Sequence, residues 1–140
     1  MPESSAAAAR FSWLLEKFVG DTVGVTDTIA VSSDGLLLAA ATTTAPENVE
    51  KFGAIVSGLN SLTRGAAECF GQDGVVQVVV EMTDRFLFVA RISDTSCLGV
   101  IAERSCDIGF VAYEMTMLVD RAGKVLTPEL VQELQNILVR

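Results

Sequence analysis

One long stretch, from Thr44 to Phe70, restricts the fold more than any other part of the chain. At about 100° per residue its large apolar side chains fall on one broad side, which predicts a single amphipathic helix with that side on the core. Thr44, Pro46 and Glu47 fit a capping box with proline in the first turn, so we expect the helix to begin there. The apolar side comprises Phe52, Ile55, Val56, Leu59, Leu62, Ala66, Cys69 and Phe70.

The opposite side of this helix carries four small residues roughly in line. Two of them are glycines, and each glycine costs about 1 kcal/mol relative to alanine in a helix interior, which ordinary solvent-facing positions do not explain. Small side chains allow another backbone to approach closely. We therefore predict that the helix packs on its own core with one side and on a partner with the other. The small residues are Ala54, Gly58, Ser61 and Gly65.

The rest of the hydrophobic pattern predicts a helix, two strands, the long helix, three strands and two further helices. Ser33-Asp34-Gly35 predicts a tight hairpin, and strands joined by such short turns are antiparallel. Several strands are apolar at nearly every position, including Val75 to Met82, so helices should cover both faces of the sheet. The expected fold is α+β in three layers. We divide the chain into a flexible start (1–9), one domain (10–126) and a C-terminal helix (127–140).

Charge and cysteine content exclude several classes of function. The net charge is −8, with no histidine, so the chain has no electrostatic reason to bind nucleic acid or an anionic membrane surface. No apolar run reaches the ~18 residues of a membrane span, so we expect no direct membrane insertion. The three widely spaced cysteines predict reduced thiols and a cytoplasmic protein, which partners could recruit to a membrane.

The residues that carry chemistry are largely missing. The sequence has no histidine, no phosphate-binding glycine loop followed by Lys and Ser/Thr, and no Gly-x-Ser-x-Gly turn. Arg85, at a predicted hairpin tip, could reach into a partner's nucleotide site, but a solvated turn arginine is the simpler interpretation. The sequence therefore predicts no catalytic residue, no cofactor and no metal site, and it predicts that function resides in surfaces.

Several short stretches, taken in order, resemble the roadblock (dynein light chain) domain family, from about Trp13 to Arg121 or beyond. The resemblance is closest to the small MglB-like and actinobacterial conservon roadblock proteins of bacteria, which accompany Ras-like GTPases. The stretches that carry it are Trp13-Leu-Leu with Phe18, Val31-Ser-Ser-Asp-Gly-Leu-Leu-Leu-Ala, Ser57-Gly-Leu-Asn-Ser-Leu-Thr, Val80-Glu-Met, and Cys106-Asp-Ile-Gly with Tyr113-Glu-Met.

The resemblance implies a roadblock/longin-like α/β/α sandwich. Its five-stranded antiparallel sheet would have the long helix on one face and the first and penultimate helices on the other. The resemblance also implies a homodimer in which the long helices meet and the third strands pair edge to edge. Such pairing would cover the long apolar edge from Val75 to Met82, which is an aggregation hazard when left open. The expected interface comprises Ala54, Gly58, Ser61, Gly65, Val76, Val78 and Val80.

Two functions remain open at this point. The first is a non-catalytic homodimeric scaffold that binds a Ras-like GTPase and modulates its nucleotide cycle or localisation. We expect the GTPase to contact the charged flank of the long helix, with Glu50, Arg64 and Glu68. The alternative is a small-ligand-binding sensor domain. An apolar pocket large enough for a ligand would favour the sensor, whereas a solidly packed sheet would not.

Overall fold

A computed structural model describes residues 3–139, with side chains over 6–137. The described residues form four helices and five strands, in the order that the sequence predicts. The elements are α1 (Glu3–Asp21), β1 (Val25–Ser32), β2 (Leu37–Ala41), α2 (Pro46–Cys69), β3 (Val78–Glu81), β4 (Arg85–Ser93), β5 (Ser96–Glu103), α3 (Ile108–Val125) and α4 (Pro128–Val139).

The strands form one antiparallel sheet in the order β2-β1-β5-β4-β3. The long helix α2 packs on one face, against β1, β5, β4 and β3, whereas α1, α3 and α4 cover the other face. The predicted three-layer α+β fold is therefore confirmed. The C-terminal helix α4 packs on β2 and α1 through Leu130, Val131 and Leu134, so it belongs to the same packed unit.

Two separate cores explain why the central strands are apolar at nearly every position. Alternate side chains point to opposite faces of a sheet, so a strand covered on both faces needs apolar residues throughout. Phe88 and Leu98 belong to the core under α1, α3 and α4, while their neighbours Val89 and Cys97 belong to the core under α2. Both cores are closed from solvent at β4 and β5.

The long helix lies close to the sheet because two glycines remove side chains at the contact. A Cβ atom at Gly99 of β5 would lie 2.6 Å from Val56 Cγ2, and one at Gly53 of α2 would lie 3.1 Å from Val31 Cγ1. The first distance is shorter than van der Waals contact, so any larger residue at Gly99 displaces the helix. Within the described chain, close approach to glycine therefore occurs on the inner side of the helix, whereas Gly58 and Gly65 on the outer side have no neighbour within 4 Å of a Cβ position.

The side of α2 that faces the sheet is the predicted one only in part: Val56 is buried, and Phe52 and Leu59 pack against the core under the helix. Ile55, Leu62 and Phe70 were expected in the core, but their exposed fractions are 49%, 74% and 81%. The apolar stripe is wider than the contact with the sheet, and the small residues Gly53 and Ser57 turn the helix so that part of the stripe faces outward. The buried residues of the helix are Val49, Gly53, Val56 and Ser57.

Two element boundaries in the structure differ from the predicted ones. The segment over 1–9, expected to be flexible, is helical from Glu3, because Ala6–Ala9 favour a helix and extend α1 back from Arg10; residues 1 and 2 lie outside the described residues. The edge strand β3 begins at Val78 and not at Val75. Just before it, Gln77 Nε2 donates a hydrogen bond to Ala112 O at 2.8 Å, which holds this segment against α3.

The predicted capping box at the start of α2 is also wrong. Ala45 occupies the N-cap position, and no side chain accepts a hydrogen bond from the first turn. The hydroxyl of Thr44 instead donates to Asp27 Oδ2 of β1 at 3.3 Å. The residue before the N-cap is thus tied to a distant part of the chain, and the first turn of α2 has no side-chain cap.

Candidate functional site

The outer face of α2 combines small residues with exposed apolar side chains. Ala54, Ser61 and Gly65 are exposed, and Gly58 is half-buried. A Cβ atom at Gly58 or Gly65 would meet nothing within 4 Å, so neither glycine is required for packing within the described part of the chain. The exposed side chains of Ile55 and Leu62 lie on the same outer half of the helix. This face therefore presents small and apolar residues that the described chain does not cover, as a surface that receives another backbone should.

The edge strand β3 is a second feature that is open to a partner. Its four residues pair with β4 alone among the described strands, which leaves the backbone groups along its other side free to pair. Val78 and Val80 are half-buried and pack with Leu59 of α2 in the core under that helix, whereas Val76 precedes the strand and is 86% exposed. Of the three valines predicted at the edge, two thus face α2 and one lies in the preceding loop.

The charged flank of α2 does not form one site. Arg64 and Glu68 line a cleft of about 510 Å³ between the second half of the helix, the loop over 72–76 and Arg91. Glu50 is exposed but lies 14 residues earlier, about 21 Å along the axis, and does not line that cleft. The structure brings together two of the three residues at which we expected the GTPase.

A second cleft, of about 590 Å³, lies between the first turns of α2 and one corner of the sheet. Asp27 lines the cleft and accepts hydrogen bonds from Thr26 Oγ1 at 2.6 Å, Thr42 Oγ1 at 2.5 Å and Thr44 Oγ1 at 3.3 Å. Arg85 lines the cleft as well. No local pattern predicts this site, because Thr42 and Thr44 become neighbours of Asp27 only when β1 pairs with β2. The run Thr42-Thr43-Thr44 is the one local signal that marks it.

The described residues contain no cluster of three or more His, Cys, Asp or Glu side chains placed to hold a metal ion. Among the described helices, none has the length and apolarity to cross a membrane. Burial raises the pKa of the Cys97 thiol from 9.0 to about 11. The pKa of Cys106 is also raised, by desolvation and then by the charges of Asp107 and Glu103. A raised pKa is the opposite of what a nucleophilic thiol needs.

Comparisons with known proteins agree with this architecture. The Roadblock/LC7 domain matches residues 11–102. A crystal structure of a Roadblock/LC7 domain from Streptomyces avermitilis is 36% identical in sequence, with a TM-score of 0.74 over 79% of this chain and 92% of that one. None of the curated proteins matches the sequence significantly.

More distant structures share the fold. MglB of Myxococcus xanthus has a TM-score of 0.76 and 16% identity, covering 83% of this chain and 94% of its own. The gliding protein MglB of Thermus thermophilus has a TM-score of 0.77 and 16% identity, covering 86% and 90%. The matched domain spans most of the chain, and the 36% identical structure covers over three quarters of it. The chain therefore belongs to the Roadblock/LC7 family.

Proposed function

We propose that this protein is a non-catalytic homodimeric regulator that binds a Ras-like GTPase. The observation that carries the proposal is the open outer face of α2, with small and apolar residues beside the free edge of β3. In a Roadblock/LC7 protein, such a face fits the pairing of two copies, and the paired helices then form a platform for a GTPase. Regulation would come from binding, since none of the described side chains forms a catalytic set.

Two features that are left exposed in the protomer support the proposed dimer. Ile55 and Leu62 expose 49% and 74% of their surface, and burying them against a second copy removes apolar area from water at about 25 cal/mol per Å². The free edge of β3 gains hydrogen bonds when it pairs with the same strand of a second copy. In a dimer with a two-fold axis, both protomers contribute the same helix face and the same strand edge, as in most soluble homodimers.

The charged flank supplies the GTPase contact in this proposal. Arg64 and Glu68 line the 510 Å³ cleft, and Arg91 extends its cationic side. A dimer displays this cleft twice, so one GTPase per protomer or one per dimer are both geometrically available. Glu50, being remote from the cleft, is expected to contribute less than the other two residues. Charged groups at such a rim govern association rate and partner choice more than total affinity.

Binding to the Ras-like GTPase encoded nearest to this protein tests the function. The GTPase is loaded with GDP or with a non-hydrolysable GTP analogue, and affinity and GTP turnover are measured with and without the protein. We expect binding that depends on the bound nucleotide, together with a change in turnover or in nucleotide release. Absence of binding in both nucleotide states contradicts the proposal.

Charge-reversal variants test whether Arg64 and Glu68 form the proposed GTPase contact. We expect Arg64→Glu and Glu68→Lys each to weaken GTPase binding by about tenfold or more, which corresponds to about 1.4 kcal/mol. Arg10→Glu on α1 and Glu129→Lys on α4 are matched controls, because both residues are exposed on the opposite face of the sheet. All four variants should retain the oligomeric state of the wild type. An MglB structure with a tetrameric arrangement is known, so sedimentation must distinguish dimers from tetramers.

A further inference from the structure

We propose that the cleft at the beginning of α2 binds a free apolar α-amino acid. The cleft arises because α2 crosses the sheet diagonally. Its first turn begins over the end of β1, at the 590 Å³ cleft, and its last turns reach the loop before β3. One corner of the sheet therefore stays uncovered. The volume lies within the range of about 300–1,000 Å³ that is typical of small-molecule sites.

The apolar part of the cleft would hold the amino-acid side chain. It is lined by Phe52 and Val49 of α2, by Ile29 of β1 and by Ile101 of β5. Phe52 and Ile101 are half-buried, so each has surface that a ligand can still cover. An apolar floor with a few convergent polar groups is the usual composition of a ligand site.

The polar part of the cleft carries two opposite charges, joined by one hydroxyl. Thr26 Oγ1 donates to Asp27 Oδ1 at 2.6 Å and accepts a hydrogen bond from Arg85 Nη1 at 3.1 Å. A carboxylate has about four acceptor positions, and the three threonine hydroxyls occupy three of those on Asp27. One acceptor position therefore remains for a donor from a ligand.

Arg85 has capacity to spare as well. Its guanidinium carries five N–H donors, and the structure gives it one hydrogen bond, to Thr26. Among the described residues, no carboxylate lies within ion-pair distance of Arg85, whereas Arg91, near the other end of β4, pairs with Asp94 at 2.9 Å. Arg85 is thus positioned by a neutral hydroxyl and available for an anion.

A zwitterion matches this arrangement better than a ligand with a single charge. A ligand carboxylate that reaches Arg85 comes near Asp27, and a ligand ammonium that reaches Asp27 comes near Arg85, so a single charge gains from one group and is repelled by the other. An α-amino acid presents both groups on one carbon atom and its side chain in a third direction. The ammonium would face Asp27, the carboxylate Arg85 and the side chain Phe52.

Titration of the full chain with L-phenylalanine and L-leucine, followed by backbone amide NMR shifts and calorimetry, tests this site. We expect saturable binding with shifts centred on Thr26, Asp27, Thr44 and Phe52. Two comparators isolate the charges: 3-phenylpropanoate lacks the ammonium, and phenethylamine lacks the carboxylate. Each should bind at least about tenfold more weakly than L-phenylalanine, as expected for a lost charged hydrogen bond.

Arg85→Gln is the decisive variant, because Arg85 is exposed and its loss should not affect folding. It should weaken L-phenylalanine binding by at least about tenfold, whereas the matched control Arg10→Gln, on the exposed surface of α1, should bind like the wild type. Thr44→Trp, which fills the cleft mouth, should abolish binding. Three results overturn the site: no saturation by about 10 mM amino acid, wild-type affinity in Arg85→Gln, or equal affinity for the comparators. The site does not rest on GTPase binding, so either proposal can fail alone.

Discussion

Gly99 has no side chain, and this allows the long helix to lie close to the sheet. A Cβ atom there would be 2.6 Å from Val56 Cγ2 and 3.4 Å from Ile29 Cγ1. Val56 is β-branched and fully buried, so its side chain cannot rotate away without meeting other core residues. The glycine is therefore explained by packing, since its φ lies outside the left-handed region.

We expect Gly99→Ala to destabilise the protein by about 1–3 kcal/mol, the usual cost of overpacking a core. Chemical denaturation measures the free energy of unfolding. Gly20→Ala is the control, because Gly20 lies on the exposed side of α1 and a Cβ atom there meets nothing within 4 Å. The control should be neutral or slightly stabilising. Equal stability of Gly99→Ala and the wild type would contradict the packing that we describe.

The cysteines should differ sharply in reactivity. Cys97 is buried in the core under α2, and burial raises its pKa from 9.0 to about 11, whereas Cys69 is exposed. At pH 8 we expect iodoacetamide to modify Cys69 readily, and Cys97 at least about a hundredfold more slowly, because the thiolate is the nucleophile. Mass spectrometry of the native protein gives both rates. Labelling of Cys97 at the rate of Cys69 would show that β5 opens.

The same shift has a consequence for stability. Above pH 9 the unfolded chain releases the Cys97 proton, while the folded chain retains it up to about pH 11. The unfolded state then binds fewer protons than the folded state, so the free energy of unfolding should decrease as pH rises from 9 to 11. In the Cys97→Ala variant, the free energy of unfolding should decrease less between pH 9 and 11, although the substitution also leaves a cavity.

At the scale of the element, the long helix has one face buried against the sheet and one face that the described chain leaves open. Its inner face comprises Val49, Gly53, Val56 and Ser57, and Ser57 Oγ donates to Ser33 O at 2.8 Å, which ties the helix to the first hairpin. The outer face has no contact within the described chain at Gly58 or Gly65. A substitution on the outer face should therefore affect association without affecting the fold of the protomer.

If the protein is the dimer that we propose, we expect Gly58→Leu to convert it to a monomer, because a leucine side chain would keep the two helices apart. Gly65→Leu should act in the same way. Gly20→Leu is the matched control, since it places the same side chain on the open surface of α1. Sedimentation velocity distinguishes the species, and circular dichroism checks the helix content. A wild-type protein that sediments as a monomer would exclude the dimer altogether.

The start of the long helix shows where local sequence rules fail. Thr44, Pro46 and Glu47 satisfy the local pattern of a capping box, yet the hydroxyl of Thr44 bonds to Asp27, 17 residues earlier in the chain. In a capping box this hydroxyl would instead accept a hydrogen bond from a backbone N–H of the first turn, and the structure shows no such bond. The helix therefore begins at Pro46, without a side-chain cap, at the rim of the cleft.

At the scale of the whole molecule, the two proposed sites lie at opposite ends of α2. Asn48 lines the cleft with Asp27 and Arg85, and Arg64 lines the cleft with Glu68. These positions are 16 residues apart, which is about 24 Å along a helix axis. The sites do not share a lining residue.

We therefore expect the two activities to separate. Arg64→Glu should weaken GTPase binding and leave amino-acid binding unchanged, whereas Arg85→Gln should do the reverse. Measuring GTPase affinity with and without a saturating amino acid then gives the coupling between the sites directly. A loss of both activities in either variant would show that the protomer itself is damaged.

The sequence by itself determined the order of elements, the three layers and the family. Period-2 and period-3.6 patterns are local, and strands such as β4 and β5 are apolar enough to require cover on both faces. It also singled out Gly58 and Gly65, because a helix interior disfavours glycine without a reason. These features follow from each segment's own composition, whatever its neighbours in space.

Only the tertiary structure decided which face of α2 lies on the sheet, where that helix begins and where the clefts form. The apolar stripe of the helix was too wide to define its inner face, and Gly53, Ser57 and Gly99 fixed it by allowing close approach. Asp27 and Arg85, 58 residues apart, became neighbours through the pairing of β1, β5 and β4. Such contacts depend on shape and register across distant segments, which no local pattern contains.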